Sequence, residues 1–351
     1  MEKKRSSATT AALVSAENRK SGVNPERYRH CMRVGDAQDE SRPLEQSEKV
    51  LHLLLIRKSG DLLEWFLCAP VCGAAEFACR KTAATVYVTV AAFLLRCFMK
   101  QESIYLSTIA SDAGCCARQH RFGLEIAEFC TASNMDEHFA ETSAELAPKL
   151  NEISHTILHA PFNELFPCAI DPKARELARE RYRQAMTLAQ QYGATKVVIH
   201  GGYNPRIYYP IWYVEQSIVF WKDFVKEIPQ GLELCLENVL EEEPSMLFDI
   251  VSAVNDSRLK LCLDIGHVNA YSELSCMDWL KHWSPWLSHF HIHNNDCSWD
   301  SHSPLNEGTI PMKDFLLEAA NLCPSASFTL EVTEAEPSVR WLLEELPWNN
   351  D

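Results

Sequence analysis

The sequence predicts a closed (β/α)8 barrel, a TIM barrel, over residues 99–351, preceded by an extension of a different kind over residues 1–98. Three observations predict it. From residue 103 onward, eight short apolar runs alternate with longer segments of helical periodicity, the pattern of repeated βα units. Six of these runs end abruptly in His, Asp or Glu, and in a parallel barrel chemistry sits where the strands end. No Gly-rich turn follows the first run, although an open doubly wound sheet would normally carry one there.

The strand-like runs are 104–109, 123–130, 154–160, 196–201, 232–238, 259–265, 287–293 and 327–332. Among the helical segments, 171–192 is the clearest. Pro172 sits near its start, Leu177, Tyr182, Ala185, Met186, Leu188 and Ala189 form an apolar stripe, and Gly193 follows as a C-terminal cap. Segments 136–150, 213–227, 244–255, 276–283, 311–322 and 336–345 also read as helices. There is no internal repeat in this part. Met99 precedes the first strand, and a chain starting there has 253 residues, close to the ~250 of a complete barrel.

Residues 1–98 read differently. Residues 1–49 are polar, charged and weakly periodic, a composition expected to be disordered. Thr82 to Met99 is the nearest thing to a membrane span, but its uncharged stretch before Arg96 falls short of the roughly 20 residues a crossing helix needs. The extreme N-terminus lacks the apolar core of a signal peptide. The expectation is an extension unrelated to function, or an artefact of start-site assignment, on a cytoplasmic protein.

Charge narrows the partners. The formal net charge is −15, split unevenly: residues 1–98 carry +4 and residues 99–351 carry −19. An acidic barrel repels the phosphate backbone that dominates nucleic-acid affinity, so a small molecule is the expected partner rather than nucleic acid or membrane. The 14 cysteines have neither zinc-finger nor disulfide-framework spacing. Several, such as Cys235 and Cys262, fall in buried runs and read as reduced core residues. Cys115-Cys116 reads as a pair in a loop without chemistry.

Nine residues at or just beyond strand ends have ligand chemistry: His159, His200, Glu237, Asp264, His267, His291, Asp300, His302 and Glu331. Imidazole combined with carboxylate suits a divalent ion such as zinc, manganese, iron or cobalt. Glu237, Asp264, His291 and Glu331, from runs five to eight, would hold one ion at the barrel centre. His159 and His200, bridged by Glu237, would hold a second, and His267 with Asp300 and His302 a third. Each residue alone is weak evidence. Together they carry the argument, because isolated buried acids on several strands of one barrel are costly without cations to pair with.

With these pieces in view, residues 103 to 346 resemble the xylose-isomerase-like TIM-barrel superfamily, which holds sugar-phosphate isomerases and epimerases together with endonuclease IV. The matching stretches are His159-Ala160-Pro161-Phe162, Ile199-His200-Gly201-Gly202, Leu236-Glu237-Asn238, Leu263-Asp264-Ile265-Gly266-His267, His291-Ile292-His293-Asn294-Asn295-Asp296, the run Asp300 to Gly308, and Leu330-Glu331-Val332. Residues 1–98 match neither branch. The endonuclease branch is similar in filling all nine ligand positions, which implies three ions. The isomerase branch is similar in the four-residue set, with the two glutamates moving protons.

The chain departs from its relatives at Asn306, where many carry Gly. Basic, aromatic DNA-reading loops have no counterpart beyond 203–209, with its single Arg206. The expected function is therefore a divalent-metal-dependent isomerase or epimerase of a sugar or sugar phosphate, with manganese, cobalt, zinc or magnesium as the ion. Glu237 and Glu331 would transfer the proton through an enediolate. His267 and His293 would bind substrate oxygens, and Trp212 and Trp299 would cover the sugar's apolar face. The alternatives are an endonuclease IV-like phosphodiesterase acting on abasic DNA and a non-catalytic metal-binding barrel.

Overall fold

A computed structural model describes residues 99–348, together with two short strands, Leu54–Leu55 and Trp65–Phe66. The chain divides into two units, Met1–Ala74 and Ala75–Asp351. In the first, the two short strands pair antiparallel, Leu54 opposite Phe66. The expectations for residues 1–49 and for the apolar run 82–98 lie outside the described residues. Among the described residues no helix is long and apolar enough to cross a membrane.

The second unit contains a closed eight-stranded parallel barrel in which each strand pairs with its sequence neighbours. The strands are β1 (Ile104–Ser107), β2 (Gly123–Ile126), β3 (Thr156–His159), β4 (Ala194–His200), β5 (Glu233–Glu237), β6 (Leu259–Asp264), β7 (Leu287–Ile292) and β8 (Ser327–Leu330). Closure comes from β8 pairing with β1, Phe328 opposite Ile104. Among the described residues, ten helices accompany them: α1 (Ala113–His120), α2 (Ala132–Asp136), α3 (Phe139–Leu150), α4 (Pro172–Gln191), α5 (Pro210–Phe224), α6 (Ser245–Val254), α7 (Ile265–Tyr271), α8 (Cys276–Trp283), α9 (Met312–Leu322) and α10 (Ala335–Glu345).

Alternation along each strand sorts the apolar residues into two cores. Outward residues such as Leu158, Val197, Ile199, Leu234, Leu236, Leu261 and Leu263 join the large core beneath the helices. Tyr105, Ile157, Val198, Cys235 and Cys262 form a separate, smaller cluster inside the barrel. Each fully buried aliphatic side chain contributes about 1.5–3 kcal/mol relative to exposure, so this layering fixes strand register. A slip by one residue would exchange the two faces.

All eight expected strands are present, most of them shorter than expected. The second ends at Ile126 because the Ala127 amide turns to donate to Thr108 Oγ1 (2.9 Å), and a 3-10 turn, Glu128–Cys130, follows. Three helices were not legible. The short α2 spans a single turn and a half, too little to show a period. Cys115 and Cys116 lie on α1 rather than in a loop. Its buried face of Ala113, Gly114, Cys116 and Ala117 is too small to give an apolar stripe. The small face is required: a Cβ on Gly114 would meet the Lys149 backbone at 3.0 Å. α7 starts directly after β6 with no turn between, because Asp264 ends the strand and caps the helix, accepting the His267 amide at 2.7 Å.

Met99 is buried, donates its amide to the Pro347 carbonyl (3.1 Å) and bridges to Trp348. The start of the barrel segment is thus tied to its end.

Candidate metal centre

The strands deliver the expected ligands to one place. His159, His200, Glu237 and Asp264 are the last residues of β3, β4, β5 and β6. His291 is the penultimate residue of β7, and Glu331 immediately follows β8. In a closed barrel these ends converge on one mouth. Ligand atoms of Glu237, Asp264, His291 and Glu331 all lie within 4.8 Å of one another, and all four residues are buried. His291 Nδ1 is the hub, 3.1 Å from Glu237 Oε1, 3.1 Å from Glu331 Oε2 and 3.7 Å from Asp264 Oδ2.

The remaining sequence candidates flank this set on two sides. His159 Nε2 and His200 Nε2 each lie 3.4 Å from Glu237 Oε2, a buried oxygen that makes no hydrogen bond. On the other side, Asp300 Oδ2 lies 3.4 Å from His267 Nε2 and 2.9 Å from His302 Nε2. His293 completes that group, with Nδ1 3.5 Å from Asp300 Oδ1 and Nε2 3.1 Å from Asp264 Oδ2. Sequence reasoning had assigned His293 to substrate alone.

The orientation of the imidazoles is the best test of fit to a metal. Backbone carbonyls can only accept, so the nitrogen facing one carries the proton. His159 Nδ1 donates to the Ala160 carbonyl (2.9 Å), His267 Nδ1 to the Asn238 carbonyl (2.8 Å) and His302 Nδ1 to the Glu331 carbonyl (2.6 Å). Each ring is thereby pinned with Nε2 turned toward a carboxylate. This is the outer-shell arrangement that sets the tautomer of a metal-ligating histidine. His291 is pinned the other way, by a carboxylate, with Nε2 3.0 Å from Glu125 Oε1.

The electrostatics agree. Burial alone would raise the Glu237 carboxyl, but the His291, His200 and His159 imidazoles outweigh it and hold it well below the usual range. Burial of Asp264 is likewise outweighed, by His267 and His293 first. Burial opposes a proton on His291, yet Cys262, Glu331, Glu125 and Glu237 together raise it well above its ordinary value, so the surrounding anions favour a positive charge there and a bound ion would take the place of the Nδ1 proton. Burial pushes His200 down to about 4, so at neutral pH its ring has a lone pair to offer. Glu237, Asp264 and Glu331 in one buried pocket are an excess of negative charge that a cation offsets. The donor set of two Glu, one Asp and one His fits a divalent ion.

Backbone and loops hold this arrangement. Asn238 links the ends of β5 and β6, exchanging bonds of 2.9 Å in both directions with the Asp264 backbone. Asn294 anchors the loop that carries Asp300 and His302, bonding Leu305 and Ile310. A Cβ on Gly308 would strike Asn294 Oδ1 at 2.1 Å. Trp212, on α5, donates its indole N–H to the Cys168 carbonyl (2.9 Å), whereas Trp299 is 64% exposed beside Asp300.

Two buried residues escaped the sequence reading. Glu125 on β2 reaches His291 and also His289 Nε2 (3.0 Å), and Thr329 Oγ1 donates to it at 2.6 Å. His289 continues downward to Ser327 Oγ (2.7 Å), which Lys196 Nζ reaches at 2.9 Å. A signal existed for His289: it lies two residues before His291, hence on the same face of β7.

Known proteins are similar to this chain in sequence or in fold. The chain is 30% identical over 168 residues to the uncharacterized protein MJ1311 of Methanocaldococcus jannaschii. That match covers 44% of this chain and 56% of the relative, so the chain spans little more than half the relative's length. Among solved structures it is similar to a D-tagatose 3-epimerase-like protein, with a TM-score of 0.55 and 20% identity over 69% of this chain and 96% of the other. It is also similar to the TTHB071 protein from Thermus thermophilus, solved after soaking with ZnCl2, with a TM-score of 0.56 and 22% identity over 69% and 97%. At such identities these two establish likeness of fold. The family model described as xylose isomerase-like TIM barrel matches residues 116–349, and the chain belongs to that family.

Proposed function

We propose that this protein is a divalent-metal-dependent isomerase or epimerase of a sugar or sugar phosphate, working by proton transfer beside a carbonyl. The observation that carries the reading is the convergence of Glu237 and Glu331, from β5 and from the end of β8, each 3.1 Å from His291 Nδ1. Glu237, Asp264, His291 and Glu331 would hold the ion. Bound there, it would polarise a substrate carbonyl and stabilise negative charge developing beside it.

The chain's own groups supply the rest. Glu237 and Glu331 stay ionised in a buried site, and reach it from different strands. One carboxylate would take the proton from the carbon next to the carbonyl, and the other, after picking up a proton from solvent, would deliver it to the opposite face of the resulting enediolate. His293 Nδ1, buried and without a hydrogen bond, would bind a substrate oxygen, as would His267. Trp299 and Trp212 would cover the apolar face of the sugar. Burial of the carboxylates keeps bulk water from quenching the carbanion-like charge.

A second reading, phosphodiester hydrolysis at abasic DNA, is favoured by one observation. The unpartnered Glu237 Oε2 between His159 and His200, with the Asp300 group opposite, has chemistry for further ions. The −19 charge of residues 99–351 weighs against it. The deciding experiment supplies manganese, cobalt or zinc and follows solvent deuterium into a panel of ketoses and their phosphates, alongside incision of an abasic-site duplex. Deuterium entry and product formation support the isomerase. Incision that is lost in Glu237→Gln, without sugar turnover, supports the nuclease.

A further inference from the structure

We propose that the substrate of the Glu237–Asp264–His291–Glu331 centre is a neutral, unphosphorylated sugar. The inference rests on the isomerase reading and narrows it. A phosphate on a sugar held in a barrel mouth needs donors there. The usual ones are Arg or Lys side chains and the amides of a helix N-terminus beside the last two strands.

The loops at the mouth carry few cationic donors. Across the eight segments leaving the C-terminal ends of the strands, all of them among the described residues, the single Lys or Arg is Arg206. On the helices, Lys173 in the first turn of α4 is exposed, and Lys313 in the first turn of α9 pairs with Glu345 at 2.8 Å; three further cations are held by the chain itself. Lys149 Nζ bonds the Thr108 carbonyl and Glu128 Oε1, both at 2.9 Å. Arg175 donates to the Ala169 and Ile170 carbonyls, and Arg181 pairs with Asp136 at 2.7 Å.

Of the two helix N-termini beside the last strands, that of α10 is filled, whereas α9 begins after Pro311 without a side-chain cap. After β8, α10 opens with the amides of Ala335 and Glu336, and these are taken by the two carboxylate oxygens of Asp112 at 2.8 and 2.9 Å. An anion supplied by the chain therefore occupies the α10 N-terminus and closes it to a phosphate. On the same face, a cleft of about 370 Å³ is lined by Tyr203, Glu242, Glu243, Glu273 and Leu274. A phosphate dianion entering there would meet carboxylates within a screening length of roughly 8–10 Å. A polyol meets the opposite situation. Ionised carboxylates are acceptors, and each sugar hydroxyl brings a donor.

The test uses the full chain loaded with manganese. Solvent deuterium exchange and product formation are measured for five- and six-carbon ketoses and for the matching ketose phosphates. Expected is a kcat/KM at least about tenfold higher for a free ketose than for its phosphate, with no competition from inorganic phosphate at millimolar concentration. Arg206→Ala should leave the free-sugar rate within about threefold of wild type. Preference for the phosphate ester, or inhibition by inorganic phosphate that vanishes in Arg206→Ala, overturns the proposal alone. Exchange in neither series removes the isomerase reading and the proposal with it.

Discussion

Glu125 Oε1 lies 3.0 Å from His291 Nε2, and this contact decides which nitrogen of His291 faces the carboxylate cluster. Burial works against ionising Glu125, but the imidazoles of His291 and His289 outweigh it and hold the carboxyl well below its usual range. An ionised carboxylate accepts, so Nε2 donates and Nδ1 is left pointing at Glu237 and Glu331. Glu125 is thus a positioning residue for the centre, acting through His291.

Glu125→Gln should weaken divalent-ion affinity by about 10–100-fold, the usual cost of losing an outer-shell partner. Competition with a chromophoric chelator measures this, and the visible spectrum of the cobalt-loaded protein should shift with it. Wild-type affinity and an unchanged cobalt spectrum would mean that Glu125 only fills space.

Gly266 permits the approach of His293 to Asp264. A Cβ at 266 would lie 1.8 Å from His293 Cε1, too close for any ordinary contact. Gly266→Ala should therefore displace the ring and cost about 1–3 kcal/mol, as overpacking does. Urea unfolding of the metal-free protein checks the stability term. A midpoint equal to wild type would show that His293 is free to move.

Glu241 gives a pH dependence separate from the ligands. Its carboxylate accepts the Val239 amide at 2.7 Å and lies 3.1 Å from the Tyr213 hydroxyl, yet burial pushes it up to about 7. Unfolded, it titrates near its ordinary 4.5, so between those values the native state holds the extra proton. Its contribution to stability is then lost as pH rises from about 4.5 to about 7. Glu241→Gln should match wild type near pH 5 and exceed it at pH 8 in thermal melts. An unchanged pH slope in the variant would assign the effect elsewhere.

Residues 99–351 should fold alone, because all eight barrel strands lie after Met99 and Met99 itself is tied to Pro347 and Trp348. Expressed by itself, the fragment should be soluble and unfold in one cooperative transition. Aggregation or a broad transition, with the full chain well behaved, would place part of residues 1–98 in the domain.

The barrel was legible because parallel strands buried on both faces read as apolar runs, and their ends as polar punctuation. Glu237, Asp264 and Glu331 stood out for that reason: an acid that closes a buried apolar run is costly unless a cation or a donor meets it there. Glu125 did not stand out, since it lies inside a short run and its role depends on two histidines more than 160 residues away. α7 was hidden because one residue, Asp264, serves as strand end, helix cap and candidate ligand at once. The role of Asp112 at the start of α10 is likewise a long-range contact that no local pattern encodes.

The central claim is that Glu237, Asp264, His291 and Glu331 form one divalent-ion site, and elemental analysis tests it most directly. Protein loaded with manganese, cobalt or zinc and dialysed against metal-free buffer should retain about one ion per chain. Asp264→Asn and Glu331→Gln should each lose it while remaining folded. An ion content at background level in the wild type, or one unchanged in both variants, would contradict the account.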